Sequence, residues 1–114
     1  MTVTAAESCT GGLVAGTLVN ADGISEVFKE SYVTYSNEAK HKLLGVKKET
    51  LEKYGAVSRQ TAAEMAEGAV RAAGADASVV TTGVAGPGGG TEEKPVGLVY
   101  IGCCVKGRTI VKRC

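Results

Sequence analysis

The segment Glu7-Ser8-Cys9-Thr10-Gly11-Gly12 sets a hydroxyl and a thiol side by side, directly ahead of two glycines. Residues 1–6 before it read as a short strand. Residues 13–19 after it read as a helix of small apolar side chains. A side chain lodged between a strand end and a helix start faces backbone N–H groups and the positive end of the helix dipole. Oxygen anions are stabilised in such a place, whether a substrate phosphate or the oxyanion that develops as an acyl carbon is attacked. Ser8 is therefore a candidate nucleophile. Cys9 is its rival, because a helix N-terminus lowers the pKa of a thiol. Gly11 and Gly12 would let a ligand come close to the backbone. The plainer reading of the same residues is a Ser/Thr cap on the first helix.

A nucleophilic serine needs a base. The single histidine, His41, lies in the charged stretch Lys40-His41-Lys42 and reads as part of a solvated helix face. Lysine and tyrosine remain as candidates. Lys40 follows Ser36 by four residues, one helical turn in, and Tyr35 ends the strand before it. A lysine desolvated in a cleft loses its proton near neutral pH, as serine–lysine chemistry requires. Sequence spacing alone brings neither of them to Ser8. A second small-residue run spans residues 81–91 and follows an apolar strand. In α/β sheets ligands bind beyond the carboxyl ends of the strands, so two glycine-rich turns there could line one crevice. Free N–H groups in such a run would form an anion nest. It lacks the Gly-Lys-Ser/Thr ending of a Walker loop, and no helix pattern follows it as in a dinucleotide fingerprint. Pro87 and the Glu92-Glu93-Lys94-Pro95 tail favour an ordered loop over a linker.

The elements that must hold these groups follow from periodicity and punctuation. Residues 31–35 are β-branched and aromatic and predict a second strand. Ser36 predicts an N-cap for a short helix ending at Gly45, and residues 47–54 a further short helix ending at Gly55. Ser58 caps the clearest helix, residues 59–73, stopped by Gly74. Residues 77–81 predict a buried strand. Residues 97–105 predict a central strand apolar on both faces, as one covered by helices would be. A turn at Lys106-Gly107 then leads into a hairpin strand, residues 109–111. The expected architecture is α/β, a layered domain with a mixed sheet.

Composition sets the outer limits. The chain has 114 residues, one domain's worth, and contains 16 glycines, about twice ordinary usage. With no Trp and one Phe, its core must come from Val, Ala, Leu and Ile. A formal net charge of +1 excludes a strong non-specific grip on nucleic acid and a polybasic membrane anchor. No apolar run reaches the roughly 18 residues a membrane span needs, and no secretory signal opens the sequence. Cys9, Cys103, Cys104 and Cys114 have no disulfide or zinc spacing, so free thiols in a reducing cytoplasm are expected.

Several motifs in order resemble one family: Thr4-Ala-Ala-Glu-Ser-Cys-Thr-Gly-Gly12, Val33-Thr-Tyr-Ser-Asn-Glu-Ala-Lys40, Tyr54-Gly-Ala-Val-Ser58, and Thr82-Gly-Val-Ala-Gly-Pro-Gly-Gly-Gly90 followed by Glu92-Glu-Lys-Pro-Val-Gly97. They resemble the C-terminal domain of the CinA (competence/damage-inducible) proteins, a domain that also occurs alone as nicotinamide mononucleotide deamidase. The resemblance covers essentially the whole of residues 1–114. It implies a three-layer α/β/α sandwich and an amidohydrolase that converts nicotinamide mononucleotide to nicotinic acid mononucleotide and ammonia, without metal or cofactor. It implies a cytoplasmic protein, a homodimer, a pyridine nucleotide as small-molecule partner, and a CinA N-terminal domain in longer chains.

Carried over by position, the nucleophile falls on Ser8, with Tyr35 and Lys40 handling its proton and helix N-terminal amides holding the oxyanion. Substrate contacts fall on Cys9, Thr10, Gly11, Gly12, Asn37, Thr82, Gly83, Ala85, Gly86, Pro87, Gly88 and Gly89. Family members also carry a helix before the first strand, and a Gly-Asp-Arg element with a covering helix after the last. These have no counterpart in the 114 residues. The resemblance thus leaves a second expectation: a non-catalytic nucleotide-binding or dimerisation module left by truncation of that domain.

Overall fold

Ser58 and Gly74 bracket the longest helix, α4 (Arg59–Ala73), in the computed structural model, which describes residues 1–114. The Ser58 hydroxyl accepts the Thr61 N–H, and Gly74 leaves the helix in the left-handed region. Ala62, Met65, Ala66 and Ala69 recur at helical spacing and are fully buried. Burial of a side chain the size of Met65 contributes about 1.5–3 kcal/mol.

This stripe packs on a five-stranded sheet of order β2-β1-β3-β4-β5. The strands are β1 (Val3–Glu7), β2 (Tyr32–Val33), β3 (Ala77–Gly83), β4 (Val99–Val105) and β5 (Arg108–Arg113). β1 runs parallel to both β2 and β3, whereas β3-β4 and β4-β5 are antiparallel, so the sheet is mixed as expected. The parallel pairing brings the carboxyl ends of β1 and β3 together. The turn after Glu7 and the loop after Gly83 therefore leave the sheet at the same end.

Three shorter helices complete the chain: α1 (Leu13–Leu18), α2 (Asn37–Leu44) and α3 (Lys48–Tyr54). Ala6 shares the core with Leu44, Val46, Met65, Ala66, Ala69, Val80 and Cys104, so its face of the sheet carries α2 and α4. Glu7, the next residue, points to the opposite face, where α1 sits on its side chain. Gly68 is mid-helix, where glycine costs about 1 kcal/mol relative to alanine. Its reason is close approach: a Cβ there would lie 1.8 Å from the Leu44 carbonyl oxygen. The missing side chain lets the end of α2 press against α4, which fixes the helix that carries Lys40.

The structure corrects the expected elements in three places. The second strand is only two residues long, because its pairing ends where β1 ends, at Glu7 opposite Val33. A 3-10 turn at Ile24–Glu26, unforeseen in the sequence, fills the connection from α1. The third correction concerns β4, which is not covered on both faces. Gly102 and Cys104 are buried under α4, but Ile101 and Val105 are exposed on the other face, as is Ile110 of β5. No helix is long and apolar enough to cross a membrane.

Candidate active site

Lys40 lies on the first turns of α2, whose N-cap Ser36 accepts the Ala39 N–H at 3.1 Å. The helix aims the lysine inward. Its side chain is 1% exposed, and Nζ lies 3.1 Å from Ser8 Oγ and 2.9 Å from the Thr34 carbonyl oxygen. A solvated lysine, the ordinary reading of this position, is therefore excluded. Ser8 itself is buried, and its N–H donates to the Thr81 carbonyl at 3.0 Å, which continues the β1-β3 ladder past the strand end. Burial pushes the Lys40 pKa below the ordinary lysine value of 10.5, opposed only by the Cys9 thiol, whose charge would raise it. A desolvated ammonium with no carboxylate partner readily gives up its proton. In its neutral form the same nitrogen accepts the Ser8 hydroxyl proton along the same line.

Cys9 departs from the sequence expectation. Burial raises its pKa, outweighing the stabilising pull of its own N–H, the Thr81 hydroxyl, Lys40 and the Thr10 N–H. The thiol is thus not activated, and all four cysteines are free. The helix N-terminal amides depart from expectation as well. Those of Gly12, Val14 and Ala15 are not open to a ligand, because the Glu7 carboxylate takes them at 3.2, 2.8 and 3.0 Å. The Gly11 N–H is likewise used, donating to the Ser8 carbonyl at 3.1 Å. The N–H groups of Cys9 and Thr10 are the ones in this turn that donate to no oxygen acceptor of the protein, the Cys9 sulfur being the only group they act on. The Thr10 hydroxyl is engaged by Glu7 at 2.6 Å and by the Thr81 hydroxyl at 2.8 Å.

The other expected site residues are arranged less tightly. Tyr35 is 68% exposed and makes no hydrogen bond to Ser8 or Lys40. Thr82 is fully buried, and its hydroxyl donates to the Ala56 carbonyl at 2.7 Å instead of facing a ligand. Asn37, at the first position of α2, lies on the lip of an open groove of about 410 Å³ between α2 and α3 that excludes Ser8 and Lys40. His41 is exposed in the same groove, and its Nδ1 meets the Val46 carbonyl at 2.8 Å. The glycine loop is closed at its base by Val84 N–H to Leu98 O at 2.9 Å and Gly97 N–H to Val84 O at 2.7 Å. It is tethered to the end of α3 by Lys94 Nζ at 2.5 Å from the Tyr54 carbonyl. Between these ties, the N–H groups of Ala85, Gly86, Gly88, Gly89 and Gly90 have no protein partner, and Pro87 has none to offer. Gly83 lies against β4, where a Cβ would come within 2.5 Å of the Leu98 carbonyl oxygen, so its role is packing at the loop base.

Two residues of this arrangement, Glu7 and Thr81, escaped the sequence reading. The available signal was a glutamate at the end of a short strand of small and β-branched residues, which must find donors if it is buried.

The family model for the CinA C-terminal domain matches residues 1–114. The chain belongs to the CinA C-terminal domain family. A competence-damage inducible protein of Clostridium novyi (strain NT) is 67% identical over 107 residues, covering 94% of this chain and 26% of that protein. One from Clostridium acetobutylicum is 65% identical over 113 residues, covering 99% of this chain and 28% of its own length. The chain thus spans about a quarter of the curated relatives it matches. Among solved structures, the competence/damage inducible protein CihA from Agrobacterium tumefaciens superposes with a TM-score of 0.96 at 50% identity, over 99% of this chain and 69% of that one. A CinA superfamily protein from Escherichia coli gives 0.95 at 40% identity, over 100% and 66%. The α/β sandwich of this CinA domain is therefore shared with its relatives.

Proposed function

We propose that this CinA domain is an amidohydrolase that deamidates nicotinamide mononucleotide, with Ser8 as nucleophile and Lys40 as its base. The observation that carries the proposal is the 3.1 Å contact between a buried, counter-ion-free lysine and a buried serine hydroxyl. The substrate is inferred from the motif resemblance, since relatives' names specify no reaction.

In the proposed cycle Ser8 Oγ attacks the carboxamide carbon and passes its proton to neutral Lys40 Nζ. The carbonyl oxygen becomes an oxyanion, held by the unpaired N–H groups of Cys9 and Thr10. The intermediate collapses, the C–N bond breaks, and the Lys40 ammonium protonates the departing nitrogen, which leaves as ammonia. Water then attacks the Ser8 ester with Lys40 again taking the proton. Collapse returns a proton to Ser8 and frees the carboxylate. The substrate phosphate is assigned to the unpaired amides of the glycine loop around Gly86, Gly88 and Gly89, because the amides at the start of α1 are already filled by Glu7. Tyr35 and Asn37, exposed at the start of α2, are assigned to contact with bound nucleotide. No separate cofactor takes part. A cytoplasmic homodimer, joined in longer chains to a CinA N-terminal domain, is the setting proposed for this activity.

Ammonia release from nicotinamide mononucleotide, compared between the protein and Ser8→Ala, tests the reading. Turnover should fall by roughly 10⁴-fold or more in the variant. Equal activity in both would remove Ser8 from the mechanism. Calorimetric binding of the nucleotide without hydrolysis by the unsubstituted protein would instead favour the non-catalytic module.

A further inference from the structure

We infer that Glu7 is a positioning residue of the Ser8 site: its buried carboxylate sets the turn that holds the serine hydroxyl at Lys40 and leaves the Cys9 and Thr10 amides free. The inference rests on the serine–lysine reading above.

Glu7 is 1% exposed, yet it faces no cation. It is instead surrounded by donors. Oε1 accepts the Thr10 hydroxyl at 2.6 Å, the Val14 N–H at 2.8 Å and the Gly12 N–H at 3.2 Å, while Oε2 accepts the Ala15 N–H at 3.0 Å. Burial alone would raise its pKa, but the bonds from Thr10, Ala15, Val14 and Gly12 outweigh burial and hold the group ionised below 4.5. An internal anion thus fills the end of α1 that would otherwise attract a ligand's negative charge.

The same residue grips the site through its backbone. The Glu7 carbonyl accepts the Thr34 N–H at 2.7 Å, and the Thr34 carbonyl accepts Lys40 Nζ at 2.9 Å. Through Thr10 the carboxylate reaches the Thr81 hydroxyl, and the Thr81 carbonyl accepts the Ser8 N–H at 3.0 Å. Residues 8–12 are thereby fastened on both sides of Ser8. With three of the nearby amides committed to Glu7, the two that directly follow the nucleophile remain open to an oxygen acceptor. A capping role alone would not need the carboxylate's link through Thr10 to Thr81.

The test uses a fluorophosphonate probe, which reacts with activated serines without needing the nucleotide, followed by intact-mass measurement of Ser8 labelling. Glu7→Gln keeps one acceptor oxygen but sets an NH₂ group against donors and removes the charge. The inference predicts labelling and kcat both slower by about ten-fold or more, with KM for nicotinamide mononucleotide unchanged within two-fold and cooperative thermal unfolding retained. Labelling and kcat within two-fold of the unsubstituted protein would overturn it. Should Glu7→Gln not fold, Thr10→Val decides. That variant removes the hydroxyl that joins Glu7 to Thr81, leaving the carboxylate its three backbone donors, and should slow labelling by roughly three- to ten-fold, and an unchanged rate would overturn the inference. An unsubstituted protein that leaves Ser8 unlabelled would overturn the serine reading and this inference with it. A protein labelled at Ser8 that releases no ammonia from the nucleotide would overturn the substrate assignment alone, and the Glu7 comparison would still be decided by labelling.

Discussion

The turn at residues 8–12 and the loop at residues 83–97 leave the same end of the sheet, are both rich in glycine, and are built in opposite ways. In the first, a buried carboxylate, two threonine hydroxyls and a neighbouring strand consume almost every donor, and two amides beside Ser8 are left over. In the second, the base and one lysine tether are fixed, while no N–H group from Ala85 to Gly90 has a partner. Bond making and breaking demands atoms held within fractions of an ångström, which the saturated turn can supply. A phosphate needs a concave set of donors that can close around it, which the loop offers. Glycine thus serves two purposes here, close backbone packing in one place and unclaimed N–H groups in the other.

The contrast can be broken most severely at Lys40. Lys40→Met should lower kcat for nicotinamide mononucleotide by about 10³-fold. Its melting temperature should hold or rise, because a desolvated ammonium is replaced by an apolar chain of similar length. A variant with undiminished kcat would show that the catalytic side of the comparison is misplaced. A smaller effect is expected in the loop. Gly89 has φ of +87° with open space around it, so Gly89→Ala strains the backbone without a clash. KM should rise by a factor of roughly five, the equivalent of about 1 kcal/mol, with kcat nearly constant. A fall in kcat at constant KM would instead mean that the loop takes part in the chemistry. The smallest effect concerns acid stability. The Glu7 pKa is lower in the folded protein than its ordinary 4.5, so its contribution is present above that value and is lost as pH falls through the lowered one. Urea midpoints measured from pH 5 to pH 3 should therefore decline less steeply in Glu7→Gln, and an identical decline would contradict the donor shell around the carboxylate.

Much of this fold was legible because its signals are local. Ser36 and Ser58 cap the helices they precede, Gly45 and Gly74 end them, and Lys106-Gly107, both with positive φ, makes the turn between β4 and β5. What the sequence hid is tertiary. Lys40 sits between a histidine and an alanine on a charged stretch, and nothing in that spacing reveals that its side chain is the one turned inward. Gly68 carried a clue as a glycine inside a helix, but only the approach of Leu44 explains it. Glu7 looked like a residue before a nucleophile, and its effect on the α1 amides depends on a strand face that only the β1-β3 register fixes. The uncovered side of β4 was hidden for the same reason: an apolar strand signals burial, but which of its faces is covered is decided by elements distant in sequence, here α4 on one face alone.

The pairing of Ser8 with a neutral Lys40 is tested most directly by the pH dependence of kcat/KM for nicotinamide mononucleotide in the protein and in Lys40→Met. The unsubstituted protein should gain activity with rising pH along a single-proton limb whose midpoint lies below the ordinary lysine value of 10.5, and the residual activity of Lys40→Met should lack that limb. A flat or falling profile in the unsubstituted protein, or the same limb persisting in Lys40→Met, would contradict the account.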